Sequence, residues 1–261
     1  MHRTHFLESA SVVETREIAE RTFLTKFFSP QIASLVRAGQ FVMVSFPGSL
    51  DPLLPRAFSV CDVELDRISL LYVAVGKGTS RLSKLRSGES VVMNGPLGNG
   101  FPELVGGEKV WFAVGGSGAA ILPILVVGAK KSGSSFRIFY GAKTNGQLIR
   151  FDYDSISYAT DDGSTGYHGT VVELIKHELL EEKPDKIFAC GPTPMLVNMQ
   201  KEMNGRVPTY LSVETPMACG IGLCQGCPVK KNDGADYFLA CKDGPVFDAR
   251  KVELVKGNSA R

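Results

Sequence analysis

Four of the six cysteines fall in one short segment near the end of this 261-residue chain. The segment reads Cys219-Gly-Ile-Gly-Leu-Cys224-Gln-Gly-Cys227, and Cys241 follows fourteen positions after Cys227. The spacing C-x4-C-x2-C…C is typical of plant-type [2Fe–2S] sites, in which one tight loop supplies three thiolates and a distant residue the fourth. The three glycines let the loop pass close to the sulfurs. We therefore predict a [2Fe–2S] cluster on Cys219, Cys224, Cys227 and Cys241.

Two other uses of clustered cysteines are disulfides and a structural zinc site. A chain of this length can build a core without disulfide staples. Zinc ribbons usually have two C-x2-C pairs, whereas here one spacing is x4 and Cys241 stands alone, so iron–sulfur is favoured and zinc is the alternative. The remaining two cysteines, Cys61 and Cys190, are interpreted as buried thiols, because free cysteine is commonly a core residue.

The composition is that of a globular protein, with 44% hydrophobic and 21% charged residues and a net charge of +2. This balance gives no reason to expect nucleic acid or a polybasic membrane anchor. The longest apolar run, residues 119–129, is shorter than the roughly 20 residues that a membrane span needs. The first residues lack the apolar core of a secretory signal. We expect a cytoplasmic protein with reduced thiols.

The first hundred residues read as β structure. Apolar runs bounded by turn residues, such as 39–47 and 68–75, predict a small barrel or sandwich. One helix is predicted over 79–85, with Thr79 as its N-cap. Turn residues are concentrated between 95 and 107, and we place a domain boundary there.

The pattern changes at Lys109 to alternating strands and helices. Such alternation predicts a parallel sheet with helices on both faces. The predicted strands are 110–114, 136–140, 157–160, 186–190 and 209–213, and the predicted helices are 119–130, 170–180 and 194–203. The chain is thus divided into residues 1–105, 106–212 and 213–261, the last holding the cysteine segment.

Three turns that follow predicted strands could bind phosphates, or they could be ordinary turns with no ligand. They are Gly76–Ser80, Gly115–Ala120 and Cys190–Pro192, and the first two open predicted helices, whose N-termini attract anions. Ahead of them, Arg56-Ala57-Phe58-Ser59 offers a flavin a cation for its pyrophosphate and an aromatic ring for packing. It also offers the Ser59 hydroxyl or a backbone N–H near the ring nitrogen that accepts hydride. An exposed arginine beside a core phenylalanine is the ordinary alternative.

In this order, the pieces resemble the ferredoxin–NADP reductase superfamily along essentially the whole chain. They are most similar to the electron-transfer subunits of type B dihydroorotate dehydrogenase. That family has an R-P-x-S flavin motif, here with Ala57 in place of proline, and a G-G-x-G-x-x-P loop, here with Ile121 in place of proline. The further matching motifs are V-G-x-G-T at Val75–Thr79, G-P-L-G-x-G-F at Gly95–Phe101, C-G-P at Cys190–Pro192, C-G-x-G-x-C-x-x-C at Cys219–Cys227 and C-x-D-G-P-V-F at Cys241–Phe247.

The resemblance implies three modules: an antiparallel β-barrel for FAD, an α/β parallel-sheet domain for NAD(H), and a small C-terminal [2Fe–2S] module. It implies Ser59 as the residue beside the reacting flavin ring. The implied FAD residues are Arg56, Ala57, Phe58, Ser59, Leu71, Tyr72, Val73, Gly78 and Thr79. The implied nicotinamide residues are Gly115, Gly116, Gly118, Cys190, Gly191 and Pro192.

The implied function is electron transfer between NAD and an FMN-containing catalytic subunit that oxidises dihydroorotate to orotate in pyrimidine biosynthesis. Such complexes are expected to be heterotetramers. One alternative is the small subunit of an NAD(P)H-dependent ferredoxin or sulfide oxidoreductase, a family in which one cluster cysteine is replaced by aspartate. Another is a non-catalytic dinucleotide sensor with a four-cysteine zinc site. Lys143 and Arg150 could meet the 2′-phosphate of NADPH, although a solvated surface role is the stronger interpretation.

Overall fold

The computed structural model describes residues 4–48, 50–234 and 236–255. The first part of the chain forms one antiparallel sheet with two short helices. Its seven strands are β1 (Phe6–Ala19), β2 (Thr22–Phe28), β3 (Phe41–Ser45), β4 (Arg56–Ser59), β5 (Asp62–Glu64), β6 (Arg67–Val73) and β7 (Ser90–Leu97). The helices are α1 (Pro30–Ala33) and α2 (Lys77–Leu82).

The order of these strands forces the sheet to curl. They run β4-β3-β7-β1-β2-β6-β5, so β4 and β5 are the two edges. Only Val60 and Cys61 separate β4 from β5 along the chain, and therefore the edges must approach each other. The interior contains Val42, Val44, Ile68, Leu70 and Tyr72 among its buried side chains. This curled antiparallel sheet confirms the predicted barrel.

The second sheet is parallel except at one edge. Its strands are β8 (Lys109–Gly115), β9 (Ser135–Ala142), β10 (Ile156–Thr160), β11 (Tyr167–His168), β12 (Lys186–Cys190) and β13 (Thr209–Ser212), in the order β11-β10-β9-β8-β12-β13. The helices between them are α3 (Leu122–Ser132), α4 (Val171–Glu178) and α5 (Thr193–Met203), with short 3₁₀ helices at Gly116–Ile121 and Asn145–Gln147.

Alternate side chains of β8 show that helices cover both faces. Val110, Phe112 and Val114 pack with α3, whereas Trp111 and Ala113 pack with α4 and α5. A strand buried on both faces reads as a continuous apolar run, which is how β8 stands in the sequence. The predicted parallel α/β arrangement is confirmed.

Two helix starts differ from the predictions. The helix predicted from residue 119 opens as a 3₁₀ turn, and α3 begins only at Leu122, with Pro123 in its first turn. The N-cap of α2 is Gly76 rather than Thr79. Thr79 is the third residue of that helix, and its hydroxyl accepts hydrogen bonds from the N–H groups of Val75 and Gly76, both at 3.0 Å. Helix α4 begins as predicted, after Thr170, whose side chain forms a reciprocal cap with Glu173.

The cysteine-rich segment is joined to the second domain by a strand. It contains a hairpin of β14 (Pro228–Lys230) and β15 (Tyr237–Leu239), followed by β16 (Val246–Asp248). Strand β16 pairs antiparallel with β13 and forms the edge of the second sheet. We propose that the chain divides into three domains after residues 105 and 212. Strand β16 is then the part of the third domain that packs on the second. In the described ranges, no helix has the length and hydrophobicity required to cross a membrane.

Candidate functional site

The β4 strand divides its four predicted flavin residues between two faces. Phe58 pairs with Val42 and contacts the ring of Tyr72, with 5.4 Å between ring centres, so it faces the barrel interior. Ala57 and Ser59 therefore face the opposite side, as successive side chains in a strand alternate. A flavin on that outer side would meet the side chains of Ala57 and Ser59, and Phe58 only through its backbone.

The same alternation holds in β6. Tyr72 lies inside the barrel, where its hydroxyl is 2.9 Å from the Oγ1 of Thr25. Burial raises the pKa of Tyr72 to about 12. Leu71 packs on the outer side with residues of the second domain, and Val73, two residues on, shares that side. The predicted flavin residues thus present Leu71, Val73, Ala57 and Ser59 toward the second domain.

The first turn of α2 meets the start of β4. The side chain of Arg56 lies on Gly78, where an added Cβ would be 3.0 Å from the arginine Cγ and 3.3 Å from its Nε. Arg56 donates through Nη1 to the carbonyl of Leu54 at 2.7 Å. The structure therefore places the predicted pyrophosphate cation directly beside the glycine turn that was predicted to hold phosphate.

The predicted nicotinamide residues also come together. A Cβ on Gly191 would lie 3.1 Å from the nitrogen of Gly115, and one on Gly115 would lie 3.2 Å from the Cδ of Pro192. Gly118 is still more confined, since a Cβ there would collide with the carbonyl of Cys190. Burial raises the pKa of the Cys190 thiol to about 12, assisted by the charge of Glu214. Cys190 is therefore a buried neutral thiol, as the sequence predicted.

A cavity of about 330 Å³ opens beside these turns, at the carboxyl ends of the parallel strands. In open α/β sheets this edge is where ligands bind. Gly115, Gly116 and Pro192 line it, together with Lys143 and Asp161. Arg150, considered for the same role as Lys143, instead lies over the ring of Tyr158 at 4.8 Å and hydrogen-bonds Asn145.

The flavin strands and the nucleotide turn are in contact. Strand β6 packs against the 3₁₀ helix Gly116–Ile121, which itself lies against Cys190. A hydride donor held by Gly115–Gly118 would thus face an acceptor held on the outer side of β4 and β6. Transfer between two bound ring systems requires sites that adjoin, because the reacting atoms must be brought within about 3–3.5 Å.

The four predicted cluster cysteines form two pairs. The sulfurs of Cys227 and Cys241 are 3.2 Å apart. The sulfur of Cys219 accepts a hydrogen bond from the backbone N–H of Cys224 at 3.4 Å. Within the described ranges, no three His, Cys, Asp or Glu side chains converge on a point suited to one metal ion. Four thiols in one segment are a donor set of the kind that an iron–sulfur cluster takes, and the residues present fit such a group.

Local electrostatics differ between the pairs. Burial raises the pKa of Cys219, but the N–H groups of Cys224 and Ile221 outweigh it and lower that pKa to about 6. Burial, and then the hydrogen bond and charge of Cys227, raise the pKa of Cys241 to about 12. Backbone N–H groups directed at a sulfur also stabilise a thiolate bound to a metal.

Two residues at this site escaped the sequence analysis. Met43 lies under the cluster loop, where an added Cβ on Gly220 would be 2.5 Å from the methionine Cγ. Asn99 donates to the carbonyl of Asp243 at 2.7 Å. Met43 reads as an ordinary core residue, so nothing in the sequence marks it. Asn99 stands at the variable position x of G-P-L-G-x-G-F, so the motif identifies its neighbours but gives no role to its side chain.

Comparison with solved structures defines the class of protein. The structure of an NADH-dependent reduced ferredoxin–NADP oxidoreductase superposes with a TM-score of 0.83 and 27% identity, covering 94% of this chain and 90% of that one. A ferredoxin–NADP reductase from Neisseria gonorrhoeae with bound FAD and NADP superposes with a TM-score of 0.64 and 17% identity, covering 76% and 91%. The fold is that of the ferredoxin–NADP reductases, with an added C-terminal segment.

Sequence relatives narrow this class to one family. The iron–sulfur cluster binding domain of dihydroorotate dehydrogenase B matches residues 214–253. An electron transfer subunit of dihydroorotate dehydrogenase B (NAD⁺) from Desulforamulus reducens is 37% identical over 254 residues, which are 93% of this chain and 97% of the relative. The corresponding subunit from Bacillus caldolyticus is 35% identical over 257 residues, covering 95% and 98%. The chain belongs to the family of electron transfer subunits of dihydroorotate dehydrogenase B (NAD⁺).

Proposed function

We propose that this chain carries electrons between NAD(H) and a dihydroorotate dehydrogenase catalytic subunit, using FAD and a [2Fe–2S] cluster. The name of its relatives supports NAD as the nucleotide and a catalytic partner. That the partner holds FMN, and that the complex is a cytoplasmic heterotetramer of two subunits each, are parts of the same proposal. The single observation that carries it is the position of the four-cysteine segment. Its Gly220 packs on Met43 of β3, the strand that pairs with β4.

The chemistry that the bound groups supply is the exchange of one hydride, as two electrons and a proton, between NADH and FAD, followed by single-electron exchange with the cluster. The tasks of this chain are binding, orientation and exclusion of water. Arg56 and the Gly76–Thr79 turn would bind pyrophosphate, and Gly115–Gly118 would admit the dinucleotide backbone closely. The outer side of β4 would place the hydroxyl of Ser59 beside the flavin ring.

The cluster cysteines would act as ligands through their two pairs, Cys219 with Cys224 and Cys227 with Cys241. The backbone N–H groups around Cys219 would stabilise the additional negative charge of a reduced cluster. Lys242 lies next to Cys241, and an added Cβ on Gly222 would be 3.2 Å from its Cδ, so the loop and this cation are packed together.

An absorption spectrum of the purified chain tests the proposal first. Flavin bands with a red-brown cluster envelope, bleached under anaerobic conditions by NADH, are expected. A colourless protein containing zinc would overturn it in favour of the dinucleotide sensor. Analysis of acid-labile sulfide and iron distinguishes a two-iron cluster from other types.

Replacement of one ligand separates the two redox groups. Cys224→Ser should remove the cluster and abolish electron transfer to a partner, while NADH still reduces bound FAD. Loss of FAD from this variant would instead assign the segment a structural role. Cys61→Ser, which changes a cysteine outside the cluster segment, is the matched control and should keep the full spectrum.

The partner is tested by co-purification from the native source. An FMN-containing subunit that oxidises dihydroorotate is expected, and the isolated electron transfer chain should not reduce NAD with dihydroorotate. Co-purification with ferredoxin, or reduction of ferredoxin in place of orotate chemistry, would support the ferredoxin oxidoreductase alternative.

A further inference from the structure

The cluster segment is held on the barrel by contacts of Gly98 and Asn99, which directly follow β7. Gly98 has a φ of +73°, and an added Cβ there would lie 2.6 Å from the Cδ of Pro245 and 2.7 Å from the carbonyl oxygen of Gly244. Only glycine permits both the left-handed backbone and this approach. The backbone at Gly98 is therefore shaped to receive the chain that follows Cys241.

Asn99 completes this contact with three hydrogen bonds. Its Nδ2 donates to the carbonyl of Asp243 at 2.7 Å and to that of Lys242 at 3.3 Å. Its backbone N–H donates to the carbonyl of Gly244 at 2.5 Å. All three acceptors lie within three residues of Cys241. Asn99, a residue of the first domain, thus binds the backbone that directly follows the predicted cluster ligand Cys241.

The barrel surface beneath the cluster loop leads directly to the predicted flavin strand. Gly220 packs on Met43 and Leu97, at 2.5 and 3.2 Å from the position of its Cβ. Met43 pairs in register with Ala57 of β4. Neighbouring strands are about 4.8 Å apart. One strand, β3, therefore separates the cluster loop from the residues proposed to bind flavin.

We propose that Asn99 is a positioning residue that fixes the separation between the flavin on β4 and the cluster on Cys241. The inference rests on the proposed function. The step concerned would pass one electron from reduced FAD to the oxidised cluster. Because a two-iron cluster accepts a single electron, the second electron would follow only after the partner subunit has reoxidised the cluster, and FAD would then return to its oxidised form and release the proton that it carried. Asn99 touches neither group. It sets the step by holding the backbone of residues 242–244 against the barrel.

The test uses the full chain loaded with FAD and cluster, mixed anaerobically with NADH in a stopped-flow instrument. Flavin reduction and cluster reduction are recorded separately, and the reduced cluster is examined by electron paramagnetic resonance. In Asn99→Ala we expect unchanged flavin reduction, cluster reduction slowed about tenfold, and a broadened cluster signal. The rate of single-electron transfer falls as the two groups move apart, so a segment released from the barrel should slow cluster reduction and leave flavin reduction unchanged.

Two further variants make the result specific. Asn99→Gln keeps the amide donor and should recover part of the lost rate. Asn232→Ala is the matched control, because the Asn232 side chain also donates to a backbone carbonyl of the same segment, that of Arg250 at 3.2 Å. It should leave both rates and the cluster signal unchanged.

Each outcome decides the proposal. Cluster reduction at the wild-type rate in a fully loaded Asn99→Ala variant would overturn it. Loss of iron from this variant would also overturn it, by assigning Asn99 to the folding of the segment. If the wild-type chain itself binds no flavin and no cluster, the proposed function fails, and this failure is seen before any Asn99 variant is measured.

Discussion

Gly118 lies so close to Cys190 that a single additional carbon on the glycine would overlap the cysteine carbonyl. The same carbon would be 2.8 Å from the Cα of Gly191. The two turns that follow β8 and β12 are therefore in backbone contact. Their closeness places both predicted nucleotide motifs at one edge of the sheet.

Gly118→Ala should damage the nucleotide site. The new Cβ forces the two turns apart, and overpacking of this kind typically costs about 1–3 kcal/mol of stability. We expect loss of flavin reduction by NADH, with flavin and cluster absorption retained. Stopped-flow reduction by NADH and urea denaturation of the same samples measure the two effects.

Gly128→Ala is the matched control for this substitution. Gly128 lies in α3 on an exposed surface, with no atom within 4 Å of an added Cβ. Alanine in a helix interior is favoured over glycine by about 1 kcal/mol, so this variant should be slightly stabilised and fully active. Equal behaviour of the two variants would contradict the steric argument.

Arg56→Ala should weaken FAD binding. A hydrogen bond to a charged group contributes about 1.5–3 kcal/mol, so the dissociation constant of FAD should rise about tenfold to a hundredfold. Fluorescence titration of the apoprotein with FAD measures it. Arg67→Ala, an exposed arginine at the opposite end of β6 from Val73 and beside Asp66, should leave FAD affinity unchanged.

The sequence was sufficient for the fold class, because the fold class depends on the periodicity of strands and helices; the cysteine ligand set stays a prediction. Of the predicted turns, the structure brings Gly115–Gly118 and Cys190–Pro192 together. The sequence could not predict which side chains of β4 face the barrel interior. That Phe58 points inward and Ser59 outward depends on which side of the strand the second domain covers. The N-cap of α2 was predicted wrongly. Thr79 is the third residue of the helix, and its hydroxyl accepts a hydrogen bond from the backbone N–H of the actual N-cap, Gly76. Met43 became relevant only through its partner Gly220, 177 positions away in the printed sequence.

Ser59→Ala should slow hydride transfer while leaving FAD bound. Removing one preorganised hydrogen-bond donor beside a developing charge costs on the order of 10²-fold in rate. Single-turnover reduction of FAD by NADH is the measurement. Ser45→Ala is the control, since Ser45 lies on the neighbouring strand β3 and donates to the carbonyl of Val92 at 3.4 Å. An unchanged rate in Ser59→Ala would show that backbone groups suffice at this position.

Cys61 should make the folded state sensitive to alkaline pH. Burial, and secondarily the charge of Asp62, raise the pKa of its thiol from 9.0 to about 12. The contribution of this thiol to stability is complete below pH 9, where both folded and unfolded states keep the proton. Between the two pKa values only the unfolded state releases it, so stability falls as pH rises, by about 1 kcal/mol per pH unit.

Urea denaturation followed from about pH 8 to about pH 10.5 tests this, in the wild type and in Cys61→Ala. Below about pH 9 the variant should be less stable than the wild type by a constant amount, because it loses a buried sulfur. Its stability should also decline less steeply above pH 9, because the titrating thiol is absent. Parallel curves for the two proteins would mean that the alkaline loss comes from other groups, such as Cys190 or Tyr153, whose pKa values burial also raises to about 12.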